Sequence, residues 1–338
     1  MDFEFSNDQE MLRESVRRFL ADRAPIAYVR ATYDTPTTAD DDVWKGLADL
    51  GVLGLGMVDS AVVLEELGRA VCPAPYIASA IGATTFAPPE EDTIATVALF
   101  EEGRRYDWRA PATTATQNGD AWRINGTKVH VPDACAAAVV YATASMPDGQ
   151  LGVFEAREFE ANASTTVDGS RKEGTIAFDN AEATHVGNET DVARALDRLA
   201  VAYVVDGVGA AARALELAVE YAKERVQFDK PIGSFQAVQH LCADMLRTVE
   251  LGRAAGYYAC WALDEASISE AHRAATLAKA FASDAFAQLG GTAIQVFGGI
   301  GFTWDHDVHL YYKRLLSLSV ALGTTDDHLA ELAAIAID

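Results

Sequence analysis

Apolar residues follow a helical period over two long parts of the chain, separated by a block of short branched and aromatic runs. At the start, SNDQ places a Ser three residues before a Gln, which fits a capping box. Met11, Leu12, Val16, Phe19 and Leu20 then mark one face of a helix over 6–24. After a polar, Pro-containing connection, VWKGLADLGVLGLG (43–56) predicts a second helix running into glycines. SAVVLEELGRAV (60–71) predicts a third, whose small and branched residues point to close packing. CPAPYIASAIGATTF (72–86) can form a fourth after its two prolines. Between about 90 and 188 the texture changes to ATVALFEE, AWRINGTKVHV, AAAVVYATAS, GQLGVFEA and EGTIAFDNAEAT. Turn signals separate these runs, with Asn118-Gly119 and Asn125-Gly126 the clearest turn candidates, so this part reads as a β layer. From 189 the helical period returns, with helices expected at 189–225, 234–263, 268–292, 304–319 and 325–337. The pattern predicts an α+β multidomain protein: an N-terminal helical domain (1–88), a central β domain (89–188) and a C-terminal helical bundle (189–338).

Charge narrows the choice of partner. There are 27 Lys+Arg against 50 Asp+Glu, a formal net charge of -23, which argues against nucleic acid or an anionic membrane surface as partner. A small anion held by local Arg residues or backbone amides is still compatible. The four cysteines, Cys72, Cys135, Cys242 and Cys260, have no metal-site spacing and read as buried reduced thiols. The acidic, polar start does not read as a signal peptide, and no apolar run has the length of a membrane span, so a cytoplasmic protein is expected.

Nucleophile-elbow, P-loop, HExxH, CxxC and EF-hand patterns are missing. FGGIGF (297–302) does not complete a Rossmann fingerprint. His306 and His309, flanked by Asp305 and Asp307, are spaced for one helical face; they read as hydrogen-bonded or solvent-facing histidines rather than a metal site. Three stretches can carry chemistry. The elbow ERVQFDKPIGSFQ presents Arg225, Gln227, Phe228 and Gln236, with Asp229, Pro231 and Gly233 breaking the helix and Ser234 expected to cap the next. Arg225 can bind a pyrophosphate in paired hydrogen bonds, or simply close a helix beside Glu224 or Asp229. QVFGGIGF (295–302) can bring backbone amides to a ligand or make a plain turn. In ALGTTDD (321–327), Thr324 can cap the last helix and meet an anion at its N-terminus.

Taken together and in order, ERVQFDKPIGSFQAVQHLCADM, QVFGGIGFTWDHDVHLYYKR and the closing LGTT resemble the C-terminal domain of the acyl-CoA dehydrogenases. LGRAVCPAP and the W-x-x-N-G-x-K strand extend the resemblance over nearly the whole chain. The family implies an N-terminal helical domain, a central β domain and a C-terminal four-helix bundle. Its members are FAD flavoproteins, usually tetramers built from dimers, that form a double bond between the α and β carbons of an acyl-CoA thioester. The resemblance implies that Arg225, Gln227, Phe228 and Gln236 contact the FAD of a neighbouring subunit. Gln295, Gly298 and Gly299 then lie along its adenosine and pyrophosphate, and Thr324 lies near FAD phosphates. An electron-transfer flavoprotein is the implied electron acceptor.

The departures are as informative. The family's carboxylate base often directly precedes the Gly-Thr, where this chain has Leu322. The other known position, early in the first long C-terminal helix, falls at Arg198, Leu199 and Ala200 beside Asp197. Asp326 stands where Gln is common. The acidic-Pro-x-x-x-Gly-Gly loop is shortened to GLGMVDSA, the T-E-P-x-x-G-S-D segment is replaced by EEGRRYDWRAPATT (101–114), and KVHVPDA (128–134) lacks the aromatic-Ile-Thr-Asn pattern. These losses resemble the short, base-lacking subunit of α2β2 acyl-CoA dehydrogenases for steroid or bile-acid side chains, with the base supplied by a longer homologous partner. The alternatives are a self-sufficient homo-oligomer with a relocated base, Asp206 before Asp305 or Asp326, and a non-catalytic structural paralogue. Asp206 interrupts an apolar run, so it needs either a buried partner such as an Arg from an adjacent helix or a raised pKa.

Overall fold

The structure is a computed structural model and describes residues 5–37, 41–119 and 121–337. In chain order the helices are α1 (Asn7–Arg23), α2 (Ile26–Thr32), α3 (Asp41–Asp49) and α4 (Met57–Arg69), then α5 (Glu189–Glu224), α6 (Gln236–Glu265), α7 (Ile268–Phe297), α8 (Val308–Val320) and α9 (Thr325–Ile337). The strands are β1 (Ala95–Ala98), β2 (Thr114–Asn118), β3 (Ala121–Pro132), β4 (Val139–Ser145), β5 (Leu151–Ala156), β6 (Glu160–Ser164) and β7 (Glu173–Asn188), followed by the short pair β8 (Val226–Gln227) and β9 (Lys230–Pro231). This is the α+β order of N-terminal helices, central sheet and C-terminal helical bundle. By contacts the described residues divide into two units: those within 1–29, 56–72 and 200–338 form one, and those within 30–55 and 73–199 the other.

The helical unit starts from the predicted capping box. Ser6 Oγ accepts from Gln9 N, and Gln9 Oε1 accepts from Ser6 N, 3.2 and 3.0 Å. The α4 helix begins on the carboxylate of Asp264, which accepts from Met57 N and Val58 N at 2.9 Å each, a negative charge at the positive end of a helix. Close packing follows from glycine. A Cβ on Gly68 of α4 would collide with the Asp206 carbonyl oxygen of α5, and one on Gly209 would collide with the Glu65 carbonyl oxygen. Only hydrogen at both positions lets these backbones cross so closely. Around the crossing, Arg17 binds Glu66, Arg69 binds Glu216, and Arg253 with Tyr257 binds Glu65.

In the other unit the seven strands β1–β7 form one sheet, ordered β1-β4-β2-β3-β7-β5 with β6 against β7. A further β4–β5 pairing joins the last strand of that order to the second, so five strands, β4, β2, β3, β7 and β5, close on themselves like a small barrel. Ile124, Val131, Val140, Phe154, Ile176 and Phe178 are part of its core. Asn118 and Ala121 pair across a two-residue hairpin loop that begins at Gly119. Asn125-Gly126 is not a turn: it lies inside β3 as a bulge against β7, where Asn125 Oδ1 accepts from Asn180 N at 2.7 Å. A side chain at Gly126 would press on Thr113, so the glycine serves a close approach.

The other differences are local. The helix expected over 43–56 stops at Asp49, and Gly51 takes φ +71°. Residues 72–86 hold a π-helical turn, Ile77–Gly82, and a 3-10 turn, Ala83–Thr85, instead of an α-helix. The sequence reading also missed α2. Cys72 and Cys260 are buried, Cys135 and Cys242 are half-buried, and all four are in the thiol form. Among the described residues, no helix is long and apolar enough to cross a membrane.

Candidate functional site

The end of α5 and the elbow after it are held by backbone hydrogen bonds. Arg225 N donates to Tyr221 O at 2.8 Å, and Ile232 N returns to Arg225 O at 2.8 Å. Between them β8 and β9 pair Val226 with Pro231 and Gln227 with Lys230. The two turn residues, Phe228 (φ +55°) and Asp229 (φ +63°), both adopt the left-handed region. A two-residue hairpin of this kind selects Asn-Gly; Phe-Asp costs backbone energy there. Phe228 is 86% exposed, with its ring edge-on to Phe235 at 6.0 Å and Lys230 over Phe235 at 4.3 Å. Arg225 and Gln227 are exposed on the same hairpin, and Gln236 is exposed as the first residue of α6. Ser234 does not cap that helix: its hydroxyl donates to Pro231 O at 2.7 Å, and Phe235 occupies the cap position.

The glycine-rich stretch lies at the same end of the bundle. Gln295 is exposed in the last turn of α7, which Gly298 ends at φ +64°. A Cβ on Gly298 or Gly299 would meet nothing within 4 Å, so the backbone here faces open space. Phe297 stacks on Tyr221 of α5, centroids 4.4 Å apart and planes 26° apart, and His306 packs on Phe297 at 4.2 Å. His306 Nδ1 accepts from Val308 N at the start of α8, and His309, buried, meets Trp304 edge-on. Seven predicted residues, Arg225, Gln227, Phe228, Gln236, Gln295, Gly298 and Gly299, therefore gather at one end of the bundle.

Thr324 does not join them. Its neighbour Thr325 donates to Ala280 O at 3.3 Å, and Ala280 lies about 22 Å along α7 from Gln295 at 1.5 Å per residue. Thr324 caps α9: its Oγ1 accepts from Asp327 N at 3.4 Å, and its hydroxyl and backbone N–H donate back to Asp327 Oδ2 at 2.7 and 2.9 Å. The turn before it is clamped. Leu322 takes φ +58°, and its carbonyl oxygen is 3.1 Å from His328 Nε2. Gly323 O accepts from the buried Lys279 ammonium, which also donates to Leu318 O and Ser283 Oγ. Burial pushes Lys279 down to about 7. So the turn that would carry a base is firmly built and carries an aliphatic side chain.

The relocated-base candidates differ in their surroundings. Asp206 is buried and its carboxylate accepts from Arg314 Nη1 at 3.0 and 3.2 Å, while Arg314 Nη2 reaches Cys72 O. Asp305 and Asp326 are exposed. Arg198 is bound to Ile81 O and Thr84, and Leu199 and Ala200 are buried.

Sequence reasoning missed one charged cluster. Glu101, buried in the β unit, accepts from Ala112 N, Thr113 N, Thr113 Oγ1 and Lys128 Nζ, at 2.6–2.9 Å. Lys128, the Lys of the W-x-x-N-G-x-K strand, also reaches Thr143 Oγ1 at 2.9 Å. Burial raises the Glu101 pKa, and the bonds from Lys128 and Thr113 outweigh it, holding the carboxyl at about 2. Burial pulls Lys128 itself down to about 8 against the attraction of Glu101. Both groups are thus charged at neutral pH, the pair depending on the carboxylate's four donors. A lysine inside an alternating strand was the available signal.

A bundle whose exposed elbow carries a guanidinium, two carboxamides and an aromatic face, beside open glycine amides, suits an anionic dinucleotide. This chain belongs to the acyl-CoA dehydrogenase family. The family's models match residues 6–89 as the acyl-CoA dehydrogenase N-terminal domain and 190–337 as its C-terminal domain, and the fold is the FAD-binding fold of that family. It is similar to acyl-CoA dehydrogenase IpdE2 of Mycolicibacterium smegmatis, 30% identical over 97% of this chain and 99% of that protein. It is also similar to IpdE2 of Mycobacterium tuberculosis, 33% identical over 91% and 90%. Among solved structures, a variant of the Tcur3481-Tcur3483 steroid ACAD superposes with a TM-score of 0.89 at 29% identity, covering 98% of each chain. The ChsE4-ChsE5 complex from Mycobacterium tuberculosis shares the fold, with a TM-score of 0.90 at 24% identity over 100% and 99%.

Proposed function

We propose that this chain is the base-poor subunit of an α2β2 FAD-dependent acyl-CoA dehydrogenase, paired with a longer homologue that carries the catalytic Glu. The observation that carries the reading is the contrast between Leu322, at the clamped turn where the family places its base, and an elbow that keeps its exposed donors. Bound FAD supplies a hydride acceptor for the β hydrogen of an acyl-CoA while a base takes the α proton. In this reading Arg225 pairs with the pyrophosphate, Gln227 and Gln236 bond phosphate, ribose or ring edge, and Phe228 covers an apolar face. Gln295 and the amides of Gly298 and Gly299 line the adenosine side, and Thr324 serves phosphates at the α9 N-terminus. The distance between Thr324 and the elbow set supports their serving different flavins, one of them in the partner.

The two-chain name of the steroid ACAD that the chain resembles supports the heteromer and a steroid side chain as acyl group. Electrons pass on to an electron-transfer flavoprotein. Four cysteines in the thiol form suit a reducing cytoplasm as its place. Expressed alone, the protein is expected to retain little FAD and to have no dehydrogenase activity. Co-expression with a longer homologue carrying a base Glu restores both. Fully flavinated, active protein purified alone would overturn the reading.

A further inference from the structure

We propose that Tyr221 is a positioning residue that sets the elbow's FAD contacts by locking the last turn of α5 against Phe297; the inference rests on the FAD reading above. Tyr221 is one helical turn before Arg225, whose N–H it receives at 2.8 Å. Its ring lies nearly parallel to that of Phe297, 4.4 Å away, and Phe297 is joined directly to Gly298. The backbone of the same α5 turn is pinned on its other side: a Cβ at Gly233, where the hairpin returns, would sit 2.9 Å from Ala222 O. The last turn of α5 is therefore fixed by Gly233 and by the Phe297 ring. This stack links the α5 turn that carries Arg225 to the residue that precedes Gly298-Gly299, and together Arg225 and the glycine backbone would bracket one dinucleotide. His306 also packs on Phe297, centroids 4.2 Å apart, and accepts a bond from Val308 N, so the ring that Tyr221 meets has a second neighbour.

A stacked aromatic pair has an orientation preference beyond its buried area, which an aliphatic contact of equal area lacks. Tyr221 touches no ligand in this account. It acts through the placement of Arg225 relative to the glycines.

The test uses the co-purified complex with Tyr221→Leu, Tyr221→Phe and Arg225→Ala. Two quantities are read: FAD dissociation, by recovery of flavin fluorescence on dilution, and hydrogen exchange at Ile232 N–H, which closes the hairpin on Arg225 O, after FAD removal. Tyr221→Leu is expected to speed FAD loss about 3- to 10-fold and to speed Ile232 exchange in the FAD-free complex. Tyr221→Phe is expected to restore both, because the ring and not the hydroxyl makes the stack. Wild-type exchange and FAD retention in Tyr221→Leu, with FAD lost in Arg225→Ala, would overturn the inference and leave the FAD reading standing. Faster exchange in Tyr221→Leu with FAD retention unchanged in all three variants would overturn the FAD reading, and with it the cofactor role of Tyr221. If Tyr221→Leu does not assemble, Phe297→Leu removes the same stack from the other side and is read the same way.

Discussion

At the scale of single residues, Asp206–Arg314 and Glu101–Lys128 are buried ion pairs that hold the structure. Asp206, the acid in the apolar run YVVDGVG, is held by Arg314 on both carboxylate oxygens. Replacing one partner of such a pair leaves the other charge buried and uncompensated, at about 3–5 kcal/mol. Asp206→Asn is therefore expected to lower unfolding stability by that order, measured by urea denaturation, with turnover per folded complex unchanged. Loss of turnover in a fully stable variant would make Asp206 the base. Glu101 gives a second prediction. Its native pKa of about 2 lies below its ordinary 4.5, so its contribution to stability is complete above pH 4.5 and is lost as pH falls toward 2. Glu101→Gln should flatten that part of the acid-unfolding profile and destabilise the protein at pH 7. Adding Lys128→Met should recover part of the loss, by removing the stranded cation. The need of Asp206 for a buried partner was legible from one acid among apolar neighbours. The Glu101–Lys128 pair was not, because its members are 27 residues apart and meet only once the sheet closes.

At the scale of elements, the long helices were the most legible part. Their apolar period runs for many turns, so α5, α6 and α7 came within a few residues, while their ends shifted with local capping: α7 runs on to Phe297 until Gly298 ends it. Asn125-Gly126 shows the opposite case, a strong turn signal absorbed as a bulge because β7 pairs on both sides of it. The strained hairpin at Phe228 and Asp229 was invisible, since Phe-Asp is not turn chemistry of the left-handed kind. Asp229→Gly should relieve one positive φ and raise stability by about 1 kcal/mol, read as an increase in Tm, while leaving Phe228 in place. Gly68→Ala should do the reverse. Its methyl group has to displace the α5 backbone at Asp206, and overpacking of this kind costs about 1–3 kcal/mol or more.

At the scale of the whole molecule, the chain has the family's fold and a well-built bundle, with the proposed chemistry divided between chains. The elbow residues and Gln295, Gly298 and Gly299 share one end, Thr324 lies about 22 Å along α7, and the Gly-Thr turn presents Leu322. Family motifs made the elbow's residue types legible in the sequence, but their separation from Thr324 needed the packing of α9 against the middle of α7. The most direct measurement is steady-state turnover of the co-purified complex after a Glu→Gln change at the base of the longer partner, with this chain left wild-type. Turnover is expected to fall about a hundred- to ten-thousandfold while FAD content and assembly are kept, because this chain supplies no carboxylate in the base's place. Turnover that survives the change would put the base on this chain and contradict the account.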